Sequence, residues 1–216
     1  MRVIFLLTLL LLGQSSVSAQ KTMEDLIKTI PQEILPYMNE SQRNEINQFV
    51  GLKDTVKVKN MLEGTLSIDS ISKNFAKITL NDAVNLQIRL FSKKDSSQII
   101  CMIKTVNKPV KESHVYFYST SWEKMEQNFG LPDYTEINET LLASFLNKPT
   151  EMTVEKFKEL SNSIEPIIVF ADFSKQSEII TFQLSLSLMS KEQKNEIKAI
   201  TKQNSFKWDG FIFKKC

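Results

Sequence analysis

The sequence predicts an α+β fold: a predominantly antiparallel sheet, wound as a meander, with helices packed on it. Three observations lead there. Successive segments between residues 55 and 120 alternate apolar and polar side chains, or run apolar, over strand lengths. The turns between them are too short for the crossovers that parallel strands require. Helical periodicity is gathered before and after this run.

Residues 23–50 read as two helices. M-E-D-L-I-K-T-I places Met23, Leu26, Ile27 and Ile30 on one face. Pro31 and Pro36 interrupt the pattern, and the second helix starts at Asn39. From Lys53 the period changes to two. T-V-K-V-K-N-M-L puts Val56 and Val58 on one face, with Lys57 and Lys59 on the other. T-L-S-I-D-S-I, F-A-K-I-T-L and V-N-L-Q-I-R-L-F follow as strands with one wet face. S-Q-I-I-C-M-I-K-T-V is apolar on both faces and reads as a central strand. N-K-P-V-K-E turns the chain, and S-H-V-Y-F-Y-S-T runs back.

W-E-K-M-E-Q-N-F, residues 122–129, reads as one or two helical turns ended by Gly130 and Pro132. E-T-L-L-A-S-F-L is a short helix stopped before Pro149, and Thr153 caps V-E-K-F-K-E-L-S. P-I-I-V-F-A-D-F and E-I-I-T-F-Q-L-S-L form a second hairpin. Ser190 opens a helix to about Lys202, and S-F-K-W-D-G-F-I-F is the last strand. Its alternation changes phase at Asp209-Gly210, which calls for a bulge or a tight turn.

Met38 to Ile46, M-N-E-S-Q-R-N-E-I, reads almost like Met189 to Ile197, M-S-K-E-Q-K-N-E-I. Local physics accounts for this. Asn39 with Gln42, and Ser190 with Gln193, have the spacing of capping boxes. A second likeness, between Phe91–Ile100 and Phe173–Ile180, has a different offset, so one duplication does not relate both pairs.

The first nineteen residues have the layout of a secretory signal peptide: Arg2, an apolar run from Val3 to Leu12, and small residues up to Ala19. The run is shorter than a membrane-spanning helix, and no later stretch is apolar enough to span. The expectation is a signal peptide at 1–19, a single α+β domain at 20–216, and an exported protein that is periplasmic or secreted. The 27 basic and 25 acidic side chains are interspersed, and no basic block exists to track a phosphate backbone. Nucleic acid is therefore not an expected partner.

Two cysteines in an exported chain leave two arrangements open. A Cys101–Cys216 disulfide would staple the C-terminal strand to the middle of the sheet; otherwise Cys101 is a buried thiol and Cys216 a loose one.

His114 is the only histidine, which removes multi-histidine metal sites. No phosphate loop, G-x-S-x-G, C-x-x-C or calcium-loop spacing is present, so no catalytic residue, metal or cofactor is assigned. A turn centred near Lys108–Pro109 pairs His114 roughly with Ile103, one step from Cys101, but a thiol among Ile and Met is inert. Glu151, Glu155 and Glu159, interleaved with lysines, read as a solvated helix face.

E-S-H-V-Y-F-Y-S-T-S-W is the most suggestive stretch. In a strand, His114, Tyr116 and Tyr118 share a face, with Trp122 just past its end. Aromatic rings with polar tips can grip a sugar, a peptide or a lipid headgroup. The alternative is that residues 122–129 fold back over this face and make it core, and burial is the commoner fate of Tyr and Trp.

T-V-N-K-P-V-K-E-S-H-V-Y-F-Y-S-T-S-W, with its upstream meander and leader, resembles a family of small exported Bacteroidales proteins known only as a domain of unknown function. The likeness spans most of the mature chain. It implies an envelope location and transfers no catalytic residue. Exported proteins of that group can be O-glycosylated where Asp-Ser or Asp-Thr precedes an apolar residue. Asp54-Thr55-Val56 and Asp69-Ser70-Ile71 fit, which makes Thr55 and Ser70 candidate positions.

The leading expectation is a soluble, non-enzymatic envelope binding module whose ligand or protein partner is unknown. The first alternative is a carrier or chaperone for an apolar ligand such as a lipid, prompted by 14 Phe and 8 Met. A hydrolase with an unrecognised carboxylate site ranks third.

Overall fold

In the computed structural model, which describes residues 20–50, 56–135, 138–174, 177–186 and 188–216, side-chain caps set where the helices begin. The expected signal peptide, residues 1–19, lies outside the described residues. Thr22 and Asp25 form a capping box at the start of α1 (Met23–Lys28). Pro31 and Pro36 fall between it and α2 (Glu40–Phe49), which opens on the expected Asn39–Gln42 box with both hydrogen bonds at 2.9 Å. Arg43 donates to the Ile30 and Leu35 carbonyls, so the connecting segment is pinned to α2.

A seven-stranded sheet follows, in which spatial order equals chain order. Its strands are β1 (Val56–Lys59), β2 (Thr65–Ser72), β3 (Phe75–Thr79), β4 (Val84–Ser92), β5 (Gln98–Val106), β6 (Glu112–Ser119) and β7 (Lys124–Met125). Every pairing is antiparallel, so the expected meander is present. The expected turns at 122–129 do not form a helix. Ser119 Oγ accepts the N–H groups of Ser121 and Glu123, which commits those donors to a turn. Trp122 then sits at φ 65° and Phe129 at φ 52°, in the left-handed region that no helical run includes. Between them the chain pairs with Phe117 and Tyr118 as β7.

The rest of the chain comprises α3 (Glu139–Ser144), α4 (Val154–Asn162), β8 (Val169–Phe173), β9 (Ile179–Leu184), α5 (Lys191–Lys198), β10 (Asn204–Trp208) and β11 (Phe213–Lys215). Asn138 and Thr153 cap α3 and α4, and Ser190 with Gln193 boxes α5 as expected. α5 stops short of Lys202, because Thr201 bridges to Leu146 and the Lys202 N–H donates to the Phe145 carbonyl. At Asp209-Gly210 the chain makes a turn between two strands, with Asp209 Oδ1 accepting from the Phe211 and Ile212 N–H groups. The last four strands form a sheet of their own, in the order β11-β10-β9-β8.

Two apolar cores lie on opposite faces of the large sheet. On one face Leu86, Ile88, Leu90, Ile100 and Met102 meet α1 and α2. On the other Phe91, Ile99, Cys101, Ile103 and Phe117 meet the smaller sheet and α3 to α5. The second core corrects the expectation that β4 has a wet face. Gln87 and Arg89 point to that side and are buried. Gln87 donates to Asp172 at 2.7 Å and accepts from the Phe173 N–H at 3.0 Å. Arg89 donates to the Ser174 and Ser177 carbonyls, and its guanidinium lies 5.0 Å from the Phe75 ring centre and 5.3 Å from that of Phe173.

Candidate functional site

β6 carries the expected aromatic row. His114, Tyr116 and Tyr118 alternate with Val115 and Phe117, so the row faces the side of α1 and α2. The members then part company. Trp122 is buried against the helix-side core, and its Nε1 donates to the Leu26 carbonyl at the end of α1. Its left-handed backbone turns the indole beneath the helix. Tyr118 packs 5.7 Å from Trp122, centre to centre. Burial pushes its hydroxyl pKa upward, and neighbouring Tyr116 adds to this. Tyr116 is half-buried, whereas His114 is exposed, with Nε2 3.6 Å from Glu112. Trp122, the first residue of the 122–129 stretch, thus folds back on Tyr118 and is itself capped by the end of α1. The row is most open at its His114 end.

That end borders an open sheet edge. The Ser119 N–H donates to the Glu123 carbonyl on the β7 side. Main-chain orientation alternates along an antiparallel strand, so the N–H and C=O groups of Phe117, Val115 and Ser113 point the same way. β7 pairs only with Phe117 and Tyr118. Among the described residues nothing pairs with Ser113 or Val115 on that side. A groove of about 420 Å³ runs along this edge, with Val115, Phe117, Met125, Tyr134 and Phe182 as its apolar lining. Met125, Tyr134 and Phe182 carry no local signal of such a role, because each comes from a different part of the chain.

Other expected positions fall elsewhere. His114 pairs with Lys104, not Ile103. This one-residue shift puts His114 and Cys101 on opposite faces of the sheet, so the two cannot meet. Cys101 is wholly buried, and burial holds its thiol well above the ordinary range, with Arg89 only partly opposing this. Cys216 is exposed; both thiols are free, the second of the two arrangements left open. Thr55 lies outside the described residues, and Ser70 is exposed beside a bulge in β2. Glu151, Glu155 and Glu159 are exposed on or beside α4, where Lys156 pairs with Glu159. Among the described residues no group of three or more His, Cys, Asp or Glu is placed to hold a metal, and no helix is long and apolar enough to cross a membrane. The phenylalanines that prompted the carrier reading fill the inter-sheet core: Phe91, Phe117, Phe129, Phe145, Phe173, Phe182, Phe206 and Phe213.

Comparison with known proteins supports the fold. A domain of an uncharacterized protein from Porphyromonas gingivalis W83 superposes with a TM-score of 0.70 at 19% identity, over 89% of this chain and 96% of that one. No curated protein matches the sequence. The family model described as "Protein of unknown function (DUF3256)" matches residues 14–213.

Proposed function

From the premise that the chain belongs to the DUF3256 family, we propose that it is an exported, non-enzymatic binding module. In this reading it takes an extended peptide as an added strand on the edge of β6. The observation that carries the reading is the juxtaposition at that edge. Main-chain donors and acceptors of Ser113 and Val115 face outward beside a groove of about 420 Å³. Added strands gain affinity from main-chain hydrogen bonds, and specificity from pockets that take alternate side chains. Side chains of one phase would enter between Val115, Phe117, Met125 and Phe182. Those of the other phase would lie along His114 and Tyr116. Export rests on the leader-like composition of residues 1–19.

Proline tests the reading, since it removes the outward N–H without breaking a main-chain bond to β5; at Ser113 it also removes the 2.9 Å hydroxyl contact with Thr105, so Val115→Pro is the cleaner of the two variants. Peptides selected from a displayed library of short linear sequences should protect the Ser113 and Val115 amides from exchange. Ser113→Pro or Val115→Pro should weaken them at least about tenfold, the loss of one or two hydrogen bonds. Peptides that perturb another surface, or that bind both folded proline variants unchanged, would overturn it.

A further inference from the structure

From the surface around the β10–β11 turn we infer a membrane-docking face: Phe211 and Ile212 form an apolar tip, rimmed by lysines, that fits a bilayer surface carrying anionic headgroups. The two side chains are 56% and 39% exposed, whereas their neighbour Phe213 is buried against Phe91 and Trp208. The turn itself holds them out. Asp209 Oδ1 accepts the Phe211 and Ile212 N–H groups at 2.9 and 3.0 Å, and the Asp209 N–H donates to the Ile212 carbonyl at 3.1 Å. Two glycines fit the tip against its neighbours. Gly210, at φ 98°, faces the stem of Lys94, where a Cβ would come within 2.8 Å of Cγ. At Gly130 a Cβ would lie 2.9 Å from the Phe213 carbonyl oxygen and 3.3 Å from the Ile212 Cβ. The Lys94 N–H donates to the Gly210 carbonyl, and the Phe213 N–H to the Phe129 carbonyl. The tip is thus tied to the β4–β5 turn on one side and to Phe129–Gly130 on the other, and docking it orders little that is not already ordered.

Charge selects the partner. Lys94 Nζ lies 4.7 Å from the Phe211 ring centre, and Lys93 Nζ 5.6 Å from that of Phe129. Lys207 and Lys214 sit directly opposite each other on β10 and β11, an unfavourable pairing unless anions lie nearby. Lys214 reaches Asp209 at 2.8 Å. The other carboxylates close to the tip have work elsewhere: Asp95 accepts from the Ser97 N–H and hydroxyl, and Glu178 acts on buried Arg89. Lys93, Lys94 and Lys207 therefore leave a positive rim around an exposed apolar pair. An apolar groove on a protein would take Phe211 and Ile212 without calling for that rim. A bilayer takes both, because apolar side chains enter the acyl boundary while lysine stems lie along it with their ammonium groups among the headgroups. Each lysine adds attraction to an anionic leaflet.

Vesicle flotation tests this, with the protein from Gln20 onward, the form that removal of residues 1–19 leaves. Vesicles of phosphatidylcholine mixed with phosphatidylglycerol should carry the protein, vesicles of phosphatidylcholine alone should not, and added salt should weaken the binding. Phe211→Ala should lower partition into the mixed vesicles about tenfold, and Lys94→Ala about fivefold. Both side chains are exposed, so circular dichroism should stay unchanged. Leu62→Ala should change nothing: this side chain is 65% exposed, but in the β1–β2 turn, at the opposite end of the sheet from the β4–β5 turn. Val115→Pro should leave flotation intact, which separates this face from the peptide edge. No flotation with the mixed vesicles, equal flotation with both compositions, or flotation indifferent to Phe211→Ala and Lys94→Ala would overturn the inference.

Discussion

The two faces of the large sheet are held by different means. The face toward α1 and α2 is aliphatic: Leu86, Ile88, Leu90, Ile100, Met102 and their neighbours, closed at one end by Trp122. Such contacts are non-directional and depend on shape and volume. The face toward the smaller sheet mixes aromatic rings with buried polar groups. Phe91 lies 6.0 Å from Phe173, 5.5 Å from Trp208 and 5.1 Å from Phe213, ring centre to ring centre. Gln87 and Arg89 hold β8 and the chain beyond it by main-chain groups. Hydrogen bonds fail when misaligned, so this face selects one placement of the second sheet, not merely close packing. The groove beside β6 opens along this better-defined interface, where the two sheets and the chain around Tyr134 meet.

The sharpest way to break this comparison is to empty the aromatic side. Phe91→Ala should cost about 3–5 kcal/mol in urea unfolding, since it removes a fully buried ring from between the sheets. A cost near that of a surface change would mean the second sheet is not held there. Neighbouring residues on β4 then give a paired test. Gln87→Leu keeps volume but strands the buried Phe173 N–H, at about 1–3 kcal/mol, whereas Ile88→Leu on the helix face should stay below about 1.5 kcal/mol. Equal costs would erase the distinction between directional and shape-only packing.

Alkaline titration separates the cores by another route. Burial raises the thiol of Cys101 above its ordinary value of 9.0, and the hydroxyls of Tyr118 and Tyr134 above 10.0. In each case the folded state holds its proton where the unfolded chain has begun to release it. The stabilisation is therefore complete below the unfolded value and is lost as pH rises through the folded one. The urea midpoint should begin to fall near pH 9.0, where Cys101 alone contributes among these three. Cys101→Ala should delay the onset toward pH 10.0, where the tyrosines act; an unchanged onset would show that the thiol does not report on this core. The smallest effect belongs to Lys111→Ala. It breaks a 2.9 Å pair with Asp172 whose two side chains are each about one-third exposed, so a change under about 1 kcal/mol is expected.

Much of the fold was legible from local pattern. Alternation located six strands of the meander, and the boxes at Asn39 and Ser190 marked two helix starts within a residue. The failures share a cause. Residues 122–129 have the composition of a helix, yet the Ser119 side chain and the open edge of β6 recruited them into a turn and a short strand. Lys202 was assigned to a helix, but Phe145 offered its N–H a carbonyl in another element. In the candidate row His114–Trp122, Trp122 folds back on Tyr118 as the alternative reading had it, but the helix that closes over the indole, α1, lies about a hundred residues earlier in the chain. Of the groove residues, His114 and Tyr116 could be picked out in the sequence. Tyr134 and Phe182 could not, since nothing near either announces the other.

By itself, then, the sequence determined the antiparallel order, the helix caps, the aliphatic face and the poverty of recognisable catalytic motifs. These rest on interactions between residues two to four positions apart, which a linear pattern records. Only the tertiary structure decided that the last four strands form a separate sheet, that Gln87 and Arg89 are buried, and that the outer side of Ser113 and Val115 is left open. Those outcomes depend on which distant element arrives to cover a polar face or an edge. The bond from Gln87 to Asp172 spans 85 positions, and no local periodicity encodes a partner so far away.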